Sequence, residues 1–248
     1  MNKVSFCPGY EKHLCSKASC AMAVFFKFVP MASIKRFLEH TALHPTISYQ
    51  QVEEMIQQAK EHQFAGLCLP PFWIKKAARE LGTLDVQVVT VIGFPLGYQM
   101  SQTKEAEIRQ ALKDGADELD VVMNISAFKS GMPWAKIELA KYAAIIHEAE
   151  AMMKVIIETA YLSDDEIRKA CKICADAGAD FVKASSGWAG EGAKVANVRL
   201  MREVLPSNVG VKASGGIKTY EQAQAMLDAG ADRIGTSSAM QIIAEESQ

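Results

Sequence analysis

No apolar run in this 248-residue chain approaches the roughly 20 residues that a membrane span needs, so a spanning helix is not expected. An excess of one charge is missing too. The 27 Lys and Arg against 29 Asp and Glu leave a formal net charge of -2, which gives no reason to expect nucleic acid or another polyanion as partner. Neither a G-x-G-x-x-G nor a Walker sequence is present, so the nucleotide-binding sheets have no support. Six cysteines occur, but without a metal-binding or redox arrangement. Cys7, Cys15 and Cys20 lie in the first segment, and Cys68 sits in a strand-like run. Cys171 and Cys174 form a C-x-x-C inside a helical pattern with no second cysteine pair or histidine cluster nearby, which argues against zinc and against a redox motif. Reduced thiols in a cytoplasmic protein are the simpler expectation. His40 and His44 flank one strand end without a third ligand, so no metal is expected.

What is present is a sizeable core and a strong alternation. With 49% hydrophobic residues, the chain suits one large α/β domain or two small ones. Residues 1–30 mix Lys3, Lys12 and Lys17 with a short apolar stretch interrupted at Lys27. They read as an extension, from an upstream start codon or vector sequence, disordered or loosely packed, with the folded domain running over residues 31–248. From residue 34 onward, strand-like runs at 37–41, 66–70, 86–92, 118–124, 154–159, 181–185, 210–214 and 233–236 alternate with helix-like runs. The helical patterns cover 49–62, 72–81, 104–113, 134–151, 164–177, 195–205, 220–228 and 239–246. Such alternation implies parallel strands with helical crossovers.

An internal echo supports the same reading. Gly115-Ala116-Asp117, Gly178-Ala179-Asp180 and Gly230-Ala231-Asp232 each close a helix and lead into a strand, with the glycine supplying the left-handed turn. Eight units fit a (β/α)8 TIM barrel in a single domain better than a doubly wound sheet. In such a barrel the working residues sit at the C-terminal ends of the strands. Glu39, Thr41, Cys68, Asp120, Asn124, Glu158, Lys183 and Lys212 collect there.

Two of these are unusual. Lys183 in Phe181-Val182-Lys183-Ala184-Ser185-Ser186-Gly187 and Lys212 in Gly210-Val211-Lys212-Ala213-Ser214-Gly215-Gly216 each interrupt an apolar β run. Strands six and seven are neighbours, about 4.8 Å apart. Two ammonium groups in one interior repel and burial acts the same way, so one of them should lose its proton readily and become a carbonyl nucleophile. The alternative is a snorkelling or salt-bridged lysine. Asp120, two strands before Lys183, is either a proton relay for the amines or simply their buried salt-bridge partner. Gly215 and Gly216 after strand seven, Ser237 and Ser238 after strand eight, and Ser186 and Gly187 after strand six fit a phosphate seat built from backbone N–H groups, though glycine pairs also punctuate ordinary loops. Thr41 and Cys68 are further candidates for the substrate pocket, Cys68 with the competing reading of a small buried hydrophobe. Glu158 is expected to shape the pocket.

The segments Leu119-Asp120-Val121-Val122-Met123-Asn124, Phe181 to Gly187 and Val211-Lys212-Ala213-Ser214-Gly215-Gly216-Ile217-Lys218-Thr219 resemble the signatures of the deoxyribose-phosphate aldolase family. So do Glu39-His40-Thr41-Ala42-Leu43-His44-Pro45 and Val91-Ile92-Gly93-Phe94-Pro95-Leu96-Gly97, in order from about residue 34 to the C-terminus. The resemblance implies a metal-independent class I aldolase without cofactor that reversibly cleaves 2-deoxy-D-ribose 5-phosphate to D-glyceraldehyde 3-phosphate and acetaldehyde. It implies that Lys183 forms the Schiff base, Lys212 lowers its pKa and Asp120 shuttles protons. A homo-oligomer, dimer or tetramer, is the expected assembly. The sequence departs from the family pattern at Glu39, usually aspartate, at Ala184, commonly threonine, and at Trp188, often small or polar. Another phosphosugar Schiff-base aldolase, a transaldolase, or a non-catalytic sugar-phosphate-binding barrel are the alternatives.

Overall fold

A computed structural model of the chain describes residues 33–247. The expectations for residues 1–30, and with them Cys7, Cys15 and Cys20, lie outside the described residues. Eight strands, β1 (Leu38–Thr41), β2 (Gly66–Cys68), β3 (Gln87–Ile92), β4 (Glu118–Val122), β5 (Met152–Ile156), β6 (Phe181–Lys183), β7 (Gly210–Ser214) and β8 (Arg233–Thr236), pair in parallel, each with the next, and β1 pairs with β8 to close a barrel. The helices are α1 (Tyr49–His62), α2 (Ile74–Leu81), α3 (Ser101–Lys113), α4 (Ile125–Lys129), α5 (Trp134–Glu148), α6 (Asp164–Asp176), α7 (Val195–Val204), α8 (Tyr220–Asp228) and α9 (Ala239–Glu246). This is the single-domain (β/α)8 TIM barrel that the alternation implies.

The differences from the sequence reading are local and have causes. The strand patterns at 66–70, 118–124 and 181–185 run past the ladder, because Met123 and Ala184 still donate one backbone hydrogen bond to the next strand (to Ile156 and Lys212, both 3.0 Å) before the chain leaves the sheet. β5 ends at Ile156, short of the expected 159, as the backbone turns at Glu158 with φ 50°. The short helix α4 falls between the expected strand at 118–124 and helix at 134–151; Asn124 caps it by accepting a hydrogen bond from the Ala127 N–H at 3.0 Å.

The Gly-Ala-Asp echoes acquire a physical meaning here. Gly115, Gly178 and Gly230 adopt φ of 94°, 89° and 99°, where a side chain would be strained. The aspartate two residues on then clamps its strand to the preceding one. Asp117 Oδ2 accepts from Val88 N–H, Asp180 Oδ2 from Met153 N–H and Asp232 Oδ2 from Val211 N–H, each at 2.8 Å. These clamps sit at the N-terminal ends of β4, β6 and β8 and fix the strands on which Asp120, Lys183 and the last loop are carried.

Strand alternation divides the molecule into two interiors. Leu119, Val121, Val155, Val182, Val211 and Ile234 are fully buried in the layer shared with the helices. The residues between them point into the barrel, and on β4 to β8 they include the charged Glu118, Asp120, Lys154, Lys183, Lys212 and Arg233. Cys68, Val89 and Val91 supply a small apolar cluster on the β2–β3 side.

Candidate active site

The register brings the charged residues together. Lys183 on β6 is the direct Cα partner of Lys212 on β7, and Asp120 on β4 is the partner of Lys154 on β5. The Lys183 and Lys212 amines both donate to the same oxygen, Oδ2 of Asp120, at 2.7 Å. Lys154 donates to the other oxygen, Oδ1, at 3.0 Å. Lys212 also bonds Glu39 very closely, while Lys154 reaches Glu118 Oε2 at 2.5 Å and Glu39 Oε1 at 3.5 Å. Arg233 closes the far end, 3.3 Å from Glu118 and 3.6 Å from Glu39. Gly235 makes room for this packing, since a Cβ there would lie 3.2 Å from Cε of Lys212 and 3.1 Å from Cβ of Ser214.

The electrostatics differ from the picture of two lysines confronting each other. Burial disfavours ionised Asp120, yet Lys154, Lys183 and Lys212 outweigh it and hold the carboxyl well below the usual aspartate value. Glu39 is lowered in the same way, against its burial, chiefly by Lys154 and Lys212. Burial would also strip Lys212 of its proton, but Asp120 and Glu39 reverse the direction and raise its pKa. The same balance, with Asp120, Glu39 and Glu118 as partners, raises that of Lys154. Lys212 is therefore a firmly held cation, and a carboxylate stands between it and Lys183.

Above this cluster opens a cavity of about 380 Å³. Of the sequence candidates, Lys183, Thr41, Ser186, Gly187, Gly215, Gly216 and Ser237 line it; Lys212, Asp120, Cys68 and Ser238 do not. Lys212 and Asp120 form the buried floor beneath Lys183, with no exposed surface. Cys68 as a pocket residue is a correction: it is fully buried against Val89 and Val91, and burial pushes its thiol up to about 11. Ser238, the neighbour of the cavity-lining Ser237, donates its N–H to Thr236 Oγ1 at 2.9 Å. Ser186 and Gly187 are at the cavity, but their N–H groups are taken by Glu158 (3.0 Å) and Ser185 Oγ (2.9 Å), and the Ser186 hydroxyl also bonds Glu158. Among the described residues, the N–H groups of Gly215, Gly216 and Ser237 have no hydrogen-bond partner and remain open to an anion. Trp188 walls the mouth, stacked on His44 at 6.3 Å between ring centres and edge-on to Phe94 at 6.4 Å.

Sequence reasoning missed Lys154, Glu118, Arg233 and Lys218. Lys154 was readable as another lysine opening an apolar run, Met153-Lys154-Val155-Ile156-Ile157, in the same strand phase as Lys183. Lys218 lines the cavity next to the glycine pair and has no carboxylate partner among the described residues. Glu39, Cys68 and Asp120 place donor atoms within 4.8 Å of one another, a spacing that a metal ion could use. The donor set does not fit one, because two of the three are carboxylates already bonded to lysine ammonium groups and the third is a thiol pushed up to about 11.

A parallel barrel whose C-terminal mouth holds a lysine above a buried carboxylate, next to open backbone N–H groups, is the plan of an enzyme of carbonyl chemistry on anionic substrates. A model of the DeoC/LacD family of aldolases matches residues 30–243, and the chain belongs to that family of Schiff-base lyases. It is 46% identical to the deoxyribose-phosphate aldolase of Staphylococcus carnosus over 208 residues, 84% of this chain and 94% of that protein. It is 46% identical to the deoxyribose-phosphate aldolase of Thermococcus gammatolerans over 213 residues, 85% and 95% of the two chains. Among solved structures, the tetrameric deoxyribose phosphate aldolase from Aeropyrum pernix superposes with a TM-score of 0.81 at 30% identity, covering 87% of this chain and 91% of that one.

Proposed function

We propose that the chain is a class I aldolase acting on 2-deoxy-D-ribose 5-phosphate, with Lys183 as the Schiff-base nucleophile. The observation that carries this reading is that Lys183 alone among the buried basic residues lines the cavity while resting on a carboxylate shared with a cationic lysine. A count of charges points the same way. Lys154, Lys183, Lys212 and Arg233 face only Glu39, Glu118 and Asp120, so one basic group is in surplus. Lys154 touches three carboxylates, and Lys212 and Arg233 two each; Lys183 touches one, and shares it. Lys183 is therefore the basic group with the fewest carboxylate contacts in the cluster.

In the reaction we infer, the Lys183 amine attacks the C1 aldehyde of the open-chain sugar, and loss of water gives an iminium. A base takes the C3 hydroxyl proton, the C2–C3 bond breaks, and its electron pair enters the iminium as an enamine while glyceraldehyde 3-phosphate departs. Protonation at C2 and hydrolysis of the iminium release acetaldehyde and restore the amine. Asp120, bridging two nitrogens through one oxygen, is suited to pass protons between Lys183 and Lys212. Gly215, Gly216 and Ser237 would seat the 5-phosphate, with Lys218 as counter-charge. Thr41, beside them in the cavity, would meet a sugar hydroxyl.

The test is a coupled assay on 2-deoxy-D-ribose 5-phosphate in the presence of EDTA, together with borohydride trapping of acetaldehyde. Turnover insensitive to EDTA, one trapped adduct at Lys183 and loss of both in Lys183→Ala are expected. An adduct on another lysine, or turnover that needs the chelated metal, would overturn the assignment. A homo-oligomer in solution, as in the tetrameric relative, and a cytoplasmic setting complete the reading. Cys68, Cys171 and Cys174 are free and buried, and no helix of the described residues is long and apolar enough to cross a membrane. Sedimentation at micromolar concentration tests the assembly; a monomer would count against it.

A further inference from the structure

The ion cluster extends well below the chemistry. From Lys183 at the cavity it runs through Asp120 to Lys154, then to Glu118, and ends at Arg233, whose side chain is 17% exposed near the opposite mouth of the barrel. A second branch returns from Arg233 through Glu39 to Lys212. We propose that the Glu118–Arg233 pair acts as a remote pair of positioning residues that sets the pH at which the Lys183 amine becomes reactive. This rests on the reading of Lys183 as the nucleophile.

Three observations carry it. The intermediate members Glu39, Glu118, Asp120, Lys154 and Lys212 have no exposed side-chain surface, so water does not screen the charges from one another. Glu39 Oε1, Glu118 Oε2 and Arg233 Nη1 are buried and have no aligned hydrogen bond, which leaves charge rather than bonding geometry as much of what they supply to their neighbours. The cluster also has one basic group too many, so a change of one charge anywhere in it falls on the member that gives up its proton most easily. The charged or titratable groups facing this interior come from seven strands: Glu39 on β1, Cys68 on β2, Glu118 and Asp120 on β4, Lys154 on β5, Lys183 on β6, Lys212 on β7 and Arg233 on β8; β3 offers Val89 and Val91. Cys68, with its thiol pushed up to about 11, stays neutral through the working range.

The sign follows from the charges. Removing Arg233's positive charge eases the ammonium form of Lys183, so the amine should become reactive only at higher pH. Removing Glu118's negative charge does the opposite. Glu118 lies two residues before Asp120, roughly 7 Å along the strand. A unit charge roughly 10 Å away, at an effective dielectric of about 20, is worth about one pH unit.

The experiment is the pH dependence of borohydride trapping at Lys183, read by mass spectrometry, with thermal melts to establish folding. Glu118→Gln should move the half-maximal pH down by about one unit, and Arg233→Met up by about one unit. The double variant should return to within about 0.3 unit of the wild type, and Arg233→Lys should stay there as well. Each single variant decides by the sign of its own shift, so failure of one to fold leaves the other as the test. Shifts in the same direction, or unmoved profiles in folded variants, would overturn the proposal. A purely structural pair would lower melting temperatures without producing opposite shifts that cancel. Absence of a Lys183 adduct in the wild type would instead remove the functional reading beneath it.

Discussion

Two buried amines in this barrel invite comparison, because only one of them faces a cavity. Lys104 on α3 lies in the layer between sheet and helices with no exposed side-chain surface, donating to the Val122 carbonyl at 3.0 Å and to Glu138 at 3.2 Å. Burial outweighs Glu138 and lowers its pKa, the direction that favours a neutral amine. Yet its neighbours are Glu138, Tyr142, which donates to Glu138 at 3.2 Å, and Gly93, where a Cβ would come within 2.9 Å of Cε. No substrate carbonyl can reach it. Lys183 is nearly as buried, 2% exposed, but opens on the cavity and shares its counter-ion with a second cation. Access and a shared counter-ion, rather than burial, distinguish the amine proposed as nucleophile from the structural one.

The comparison breaks most visibly at the two lysines themselves. Lys183→Ala should lower turnover by at least about 10³-fold with a near-normal melting temperature, because Asp120 keeps Lys154 and Lys212. Lys104→Met should do the reverse. It strands Glu138, costing about 3–5 kcal/mol of stability, while turnover per folded molecule stays within a few-fold of wild type. Adding Glu138→Leu should recover most of that loss in a thermal melt. Loss of turnover in a well-folded Lys104→Met protein would show that the two amines are not functionally distinct.

Asp120→Asn sharpens the contrast in a second way, since it removes the counter-ion rather than an amine. Three lysines then crowd a neutral amide. The expected results are a loss of several kcal/mol in denaturant titrations and a turnover at least about 10²-fold lower. The pH dependence follows from the same carboxyl. Its folded-state pKa lies well below the ordinary 3.8, so its stabilising contribution is full above that value and is lost as the pH falls through the acid range toward the folded pKa. Wild-type stability should fall steeply below about pH 4, and Asp120→Asn should flatten that fall; an unchanged slope would argue against the carboxylate as the centre of the cluster.

The fold was legible because a single local pattern repeats. The strand and helix periods alternate eight times, and the Gly-Ala-Asp junctions mark one end of the barrel through a backbone requirement that sequence exposes directly. The buried ion cluster was legible where a charged residue interrupts an apolar run, as at Asp120, Lys183 and Lys212. Lys154 breaks its run in the same way and was passed over because its loop carries no serine or glycine signature. Glu118 and Arg233 stand at strand starts, where polar residues are ordinary, so only the closed barrel brings them to Lys154 and Glu39. Composition does not show which N–H groups of the expected phosphate seat are free. Ser186, Gly187 and Ser238 have the right residue types, but neighbouring side chains already use their N–H groups, a competition that appears only in three dimensions.

The smallest effect is expected at Cys68, which tests whether nearness to the cluster is enough for a role. Its sulfur lies among the carboxylates of Glu39 and Asp120, and burial, opposed by Lys212 and reinforced by Asp120, pushes its thiol up to about 11. A neutral, fully buried thiol at working pH is neither a nucleophile nor a proton carrier. Cys68→Ala should then remove only packing against Val89 and Val91, at a cost of about 1 kcal/mol, with turnover within about two-fold of wild type. Iodoacetamide at neutral pH should leave Cys68 unmodified in the native protein by peptide mass mapping. Rapid alkylation with parallel loss of turnover would place the thiol in contact with the cavity and make the β2 side of the barrel part of the site.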